Sequence, residues 1–80
     1  MNIEEYIEKQ LRESNDNIFE GDMWLGIEHP NYKFGLFCQV EQSEENENDY
    51  NVIVYKNING ENQTDYSKTI TKFKIQKKKV

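Results

Sequence analysis

Few residues in this chain could carry out covalent chemistry. Cys38 and His29 are its only cysteine and histidine, so a thiolate–imidazole pair would have to be these two. Each has a competing role. Cys38 falls in phase with Phe34, Leu36 and Val40 along an alternating segment, and a thiol on an apolar face behaves as a small hydrophobe. His29 stands in Glu28-His29-Pro30-Asn31, turn chemistry that places the ring in solvent. None of Ser14, Ser43 and Ser67 lies in a Gly-x-Ser-x-Gly setting. No catalytic residue is assigned, and the expectation is a protein that is not an enzyme.

Metal and cofactor chemistry find no better footing. One Cys and one His cannot build a tetrahedral zinc site without carboxylates. The acids of residues 41–49 lack the Asp-x-Asp-x-Asp-Gly order that shapes a calcium loop. Carboxylates abound, but nothing singles out two for glycoside chemistry. Neither Gly-x-Gly-x-x-Gly nor Gly-x-x-x-x-Gly-Lys occurs, so no phosphate cradle is encoded. No metal and no cofactor are expected.

Charge offers more. The chain has 80 residues, 15 acidic and 10 basic, for a net charge of −5. Residues 1–49 hold 13 of the acids and 3 of the bases, whereas residues 50–80 hold 2 acids and 7 bases. The acidic extreme is Glu41, Glu44, Glu45, Glu47 and Asp49; the basic extreme is Lys68, Lys72, Lys74 and Lys77 to Lys79. Such asymmetry signals either interaction or simple solvation. A single arginine, Arg12, is a poor supply of bidentate base or phosphate readers. The net charge also repels a polyanion, so direct nucleic-acid binding is not expected.

Acidic side chains spaced along a loop can imitate a row of phosphates and occupy a basic groove on another protein. That makes Glu41, Glu44, Glu45, Glu47 and Asp49 the candidate contact, with Phe37 or Tyr50 as an exposed apolar anchor. The partner expected is a protein, and a nuclease or related nucleic-acid-handling enzyme has the matching surface. Two alternatives stand beside this reading. One is a β-rich module in which Trp24, Tyr32 and Phe34 line a pocket for a ligand or peptide. The other is a structural subunit of a larger complex.

The elements that must position these groups follow from periodicity. Residues 2–14 read as an amphipathic helix, with Ile3, Ile7 and Leu11 on one stripe and Tyr6 beside it. Asn2 is a candidate N-cap with Glu5 three residues on, and Ser14 to Asn17 end the helix. Glu5–Lys9 and Glu8–Arg12 are i,i+4 pairs in the favourable order. Thereafter the period is two. Strands are expected at Met23 to Ile27, Lys33 to Glu41, Asn51 to Lys56 and Tyr66 to Gln76. Gln42 to Asp49 is a polar loop, Asn59-Gly60 a hairpin signal, and residues 77–80 a lysine-rich tail. In the last strand Tyr66 and Ile70 fall on one face but Phe73 and Ile75 on the other, which a bulge or a bend near Lys72 would reconcile. The expected fold is α+β: one N-terminal helix packed on a four- to five-stranded, mainly antiparallel sheet, in a single domain over residues 1–80.

Composition bounds the setting. Ten aromatics, Trp24 with 5 Tyr and 4 Phe, supply large apolar area and argue against disorder. A lone cysteine cannot form an internal disulfide, and the start MNIEEYIEKQ has no basic and apolar leader pattern. No apolar run approaches the ~20 residues of a membrane span. A soluble, cytoplasmic protein is expected. Ten Asn and eight Ile against no Ala and one Pro favour A/T-rich codons, as in an AT-rich bacterium, its phages or mobile elements.

Overall fold

A computed structural model of the protein describes residues 2–14, 22–59 and 63–76. Its elements are α1 (Ile3–Ser14), β1 (Met23–His29), β2 (Tyr32–Gln42), β3 (Asp49–Asn59), β4 (Gln63–Asp65) and β5 (Thr71–Gln76). The architecture is α+β, one helix on one five-stranded antiparallel sheet. Asn15 to Gly21, Gly60 to Asn62 and the tail Lys77 to Val80 lie outside the described residues.

The helix begins where its cap allows. The Glu5 amide donates to Asn2 Oδ1 at 2.8 Å, satisfying one of the donors a first turn leaves free. Glu8 pairs with Arg12 Nε at 2.9 Å, one of the two expected i,i+4 contacts. Ile7 and Leu11 are fully buried, with Ile3 and Tyr6 packed at the margin of the core. Burying two such side chains contributes roughly 1.5–3 kcal/mol each. Two polar contacts then fix the helix to β5: Thr71 Oγ1 donates to Glu4 Oε2 at 2.7 Å, and Arg12 Nη2 donates to the Gln76 carbonyl at 2.9 Å.

The sheet is a meander in the order β1-β2-β3, with β4 and β5 sharing the far edge of β3. Strand alternation sends Ile27, Leu36, Cys38, Val40, Val52, Val54 and Ile75 inward beneath the helix. Register aligns them in rows: Met23, Val40, Val52 and Phe73 across four strands, then Leu25, Cys38, Val54 and Thr71.

Three expectations need correction. Phe34 does not share the inner face with Leu36, Cys38 and Val40; it is 41% exposed. Pairing of β1 with β2 runs to Ile27↔Leu36 and resumes at His29↔Tyr32, so Glu28 alone stands against Lys33, Phe34 and Gly35. Gly35 turns this bulge with φ +79°, a region in which an L side chain is strained. The parity conflict in the last segment arises before Lys72. The chain leaves β3 after Asp65, turns through residues 66–70, and rejoins β3 at Thr71, where the Ile70 amide donates to the Val54 carbonyl at 2.8 Å. The turn is fastened by the Ser67 amide and hydroxyl, which both donate to the Asp65 carboxylate. Finally, β3 is longer than expected, and the hairpin signal sits at its end: Asn59 pairs with Gln63 across the reversal.

Candidate protein-binding face

With the helix on the inner face, the outer face of the sheet is covered by no other element among the described residues. Its rows follow from the same register. Gly26, Phe37 and Tyr55 form one row; Trp24, Gln39, Ile53 and Lys72 the next; Glu41, Asn51 and Lys74 the third. Beyond these, Asp49 pairs with Gln76 where β3 meets the β2–β3 loop.

Aromatic rings gather at the first two rows. Trp24 stacks on Phe37 with centroids 5.2 Å apart and planes at 19°, and lies 6.4 Å from Tyr55 at 22°. Tyr66, from the turn after β4, meets Tyr55 edge-on at 5.1 Å and Trp24 at 6.1 Å. Offset and edge-on arrangements like these are favourable for ring quadrupoles. The cluster nevertheless stays in contact with solvent, Trp24 being 47% and Tyr66 57% exposed. Gly26 leaves open space beside it, since a Cβ there would meet no atom within 4 Å.

The acidic loop borders this platform. Glu44, Glu45 and Glu47 are exposed, Glu41 and Asp49 half-buried. The loop is held by its own hydrogen bonds: Ser43 N to the Asp49 carbonyl at 2.9 Å, Asp49 N to the Asn46 carbonyl at 3.0 Å, and Gln42 Nε2 to the Glu47 carbonyl at 3.1 Å. Glu45 N donates to Ser43 Oγ, and Asn48 N to Asn46 Oδ1. These bonds tie the backbone of the loop and leave the Glu44, Glu45 and Glu47 side chains in solvent. Among the described residues its one ion pair is Glu45 with Lys74, a loose 4.0 Å contact between two well-exposed groups, worth little in water.

Of the expected anchors, Phe37 is on the outer face, as its alternation with Leu36 and Cys38 requires. Tyr50 is not an exposed anchor. It is 2% exposed, because it shares parity with Val52 and Val54 and faces the helix in the row with Ile75. Sequence reasoning placed Trp24 in a pocket and passed over Tyr55 and Tyr66 as surface groups. The signal for two of them was present: Trp24 alternates with Met23 and Leu25, and Tyr55 with Val52 and Val54.

The pocket expected from Trp24, Tyr32 and Phe34 is divided. Tyr32 and Phe34 line an open cleft of about 700 Å³ at the β1–β2 turn, together with Tyr6, His29 and Asn57, and Trp24 is not part of it. Much of its polar lining is already engaged. Tyr6 Oη donates to the Glu28 carbonyl at 3.0 Å, and Asn57 donates from Nδ2 to the Phe34 carbonyl at 3.1 Å. Asn57 Oδ1 also accepts from Thr64 Oγ1 at 2.8 Å. His29 does not stand free in solvent: its ring lies 4.7 Å from Tyr6 and 5.2 Å from Tyr32, and Nδ1 accepts the Asn31 amide. Cys38 is sealed in the core at 0% exposure, and burial pushes its thiol up to about 12. Such a thiol is a poor nucleophile near neutral pH.

Among the described residues no three His, Cys, Asp or Glu side chains form a metal-holding group, and no helix is long and apolar enough to cross a membrane. No family model, no curated protein and no solved structure matches the chain.

Proposed function

We propose that this is a small acidic protein-binding module that acts through its outer sheet face and occupies a basic surface of its partner. One observation supports the reading: the outer face that the helix leaves open carries solvent-exposed aromatic rings and Glu41, and ends at a loop with exposed Glu44, Glu45 and Glu47. Charge alone gives steering and specificity, whereas affinity concentrates in a few buried aromatic anchors. Both are present, and adjacent. A groove that handles nucleic acid has the complementary charge, so the partner class is a nuclease or a related cytoplasmic enzyme. The AT-biased composition fits an inhibitor from a phage or mobile element.

The test combines identification with charge removal. The wild type and a variant with Glu41, Glu44, Glu45 and Glu47 changed to Gln and Asp49 to Asn are used to capture proteins from lysate of an AT-rich bacterium. The captured partner is then purified and its association rate measured. Wild type should retain a nucleic-acid-handling protein that the variant loses. Affinity should fall at least tenfold, about 1.4 kcal/mol, through slower association. The wild-type rate should itself drop as salt shortens the screening length below its physiological ~8 Å. Equal binding by the variant refutes mimicry by this loop.

A further inference from the structure

We propose that a second copy of this chain covers the outer face, the two sheets packing face to face about a two-fold axis that runs along their strands. The pair is the form of the free protein. It goes beyond the protein-binding reading, which concerns a foreign partner at the same face.

The centre of the face is apolar. Phe37, Ile53 and Tyr55 are half-buried there, and Trp24, stacked on Phe37, is 47% exposed. An antiparallel sheet packed on its core by one face is commonly polar on the other, and an exposed apolar patch with a polar rim marks an interaction surface. Here the rim is divided by sign. Glu41 faces outward on β2, and Asp22 stands at the same end, just before β1, with its carboxylate accepting the Gln42 amide at 3.3 Å. Across the sheet, Lys72 and Lys74 are exposed on β5, in register with Ile53 and Asn51. A second copy carries the same two signs around the same apolar centre, and complements the face when laid on it in reverse order.

Symmetry decides whether that order is reached. Two identical faces close on each other about a two-fold axis lying in the plane of contact. An axis across the strands lays β1 on β1 and β5 on β5, setting acids on acids and lysines on lysines, which is unfavourable. An axis along the strands, centred between β2 and β3, lays β1 on β5 and β2 on β3. This operation allows no slide along the strands, so each row meets its own row. Trp24 then lies over Lys72 of the second copy, Gln39 over Ile53 and Phe37 over Tyr55. Lys74 comes over the end of the face that holds Asp22 and Glu41. Every contact occurs twice. Strand directions stay aligned, the arrangement in which two sheets interdigitate about 10 Å apart.

The size of the face and its loop set the strength of the pair. Four strands at ~4.8 Å and three rows at ~6.8 Å span about 19 by 20 Å. That is about 400 Å² per copy, half of the ~800 Å² of a standard interface, so association is weak and depends on concentration. The two β2–β3 loops lie at one end of the pair, and exposed Glu44, Glu45 and Glu47 of each repel those of the other. Neutralising these three should therefore tighten the pair, whereas the same charges attract a basic foreign partner.

The experiment is sedimentation of the whole protein from about 10 μM to about 1 mM, with two charge variants. The apparent mass should rise from 9.6 kDa towards twice that value. Emission of Trp24, the only tryptophan, should move to shorter wavelength as it does so. Lys72→Glu with Lys74→Glu makes the charged rim acidic, and Asp22→Lys with Glu41→Lys makes it basic. Each variant alone should associate at least tenfold more weakly than wild type, and an equimolar mixture of the two should regain association. Thermal melts confirm that both are folded, and in the wild type concentration-dependent amide shifts should fall at residues 37–41, 51–55 and 72–74. Glu44→Gln, Glu45→Gln and Glu47→Gln together should strengthen association. A chain that stays monomeric throughout leaves the face to a foreign partner and overturns the proposal, while capture of that partner from lysate would still stand. Undiminished association of either charge variant, a mixture that does not associate, shifts confined to α1, or weakening by the three-glutamate change overturns it as well.

Discussion

The same substitution should have opposite effects at two glycines of this sheet. Gly35 has φ +79°, and a Cβ there would lie 2.9 Å from the Ile27 carbonyl oxygen. Placing an L side chain in the left-handed region costs roughly 1–2 kcal/mol. The clash adds to this, because the neighbour is backbone and the bulge must shift to relieve it, which costs about 1–3 kcal/mol more. Gly35→Ala should therefore destabilise by about 2–5 kcal/mol in urea melts. Gly26 lies in β1 with ordinary strand geometry, and its added Cβ meets nothing within 4 Å. There alanine restricts the unfolded chain at no steric cost, and Gly26→Ala should stabilise by about 0.5–1 kcal/mol. In a domain this size each kcal/mol moves Tm by about 4–8 °C, so the two variants should melt well on either side of the wild type. A loss below about 0.5 kcal/mol for Gly35→Ala, or effects of one sign at both sites, would refute the bulge geometry and the account of Phe34 that depends on it.

Two further outcomes follow from the core. Leu11→Ala removes a fully buried side chain from the helix–sheet contact and should cost about 2–5 kcal/mol in denaturant melts; a change under about 0.5 kcal/mol would mean the stripe does not bury. Cys38 should react slowly with a thiol reagent in the native protein at pH 8 and rapidly once unfolded. Its thiol is raised from 9.0 to about 12 by burial, so the unfolded chain loses this proton first. Stability should be unaffected below pH 9 and decline above it by about 1.4 kcal/mol per pH unit until the folded thiol also ionises; a stability curve flat through that range would contradict the burial.

The inner layer was legible in the sequence because it obeys simple periods. Ile7 and Leu11 sit one helical turn apart, and Leu36, Cys38 and Val40 alternate without interruption, so their burial follows from spacing alone. Phe34 escaped because alternation assumes an unbroken strand, and Gly35 breaks it with a backbone conformation that composition cannot reveal. The last strand was misread for a related reason. Its parity conflict is visible in the sequence, but the chain resolves it with a five-residue turn held by Asp65 and Ser67, before Lys72 and longer than a bulge or bend at that residue. Tyr50 was assigned by proximity to the acids, although its parity with Val52 and Val54 pointed inward. The aromatic platform draws on β1, β2, β3 and the turn after β4, and only the register of the sheet brings those rings together.

The meander has a consequence for the order in which the chain assembles. β1 with β2, β2 with β3, and β3 with β4 are each joined by short connections, so each pairing closes a small loop at little entropic cost. The helix is different. Its two polar contacts to β5 join Glu4 to Thr71 and Arg12 to Gln76, 67 and 64 residues apart. These two contacts form only when β5 lies along β3, since β5 supplies both partners, whereas Ile7, Leu11 and Tyr6 also meet residues of β1, β2 and β3. The helix thereby closes the core over Cys38 and the three valines of β2 and β3 by joining the first and last described elements of the chain.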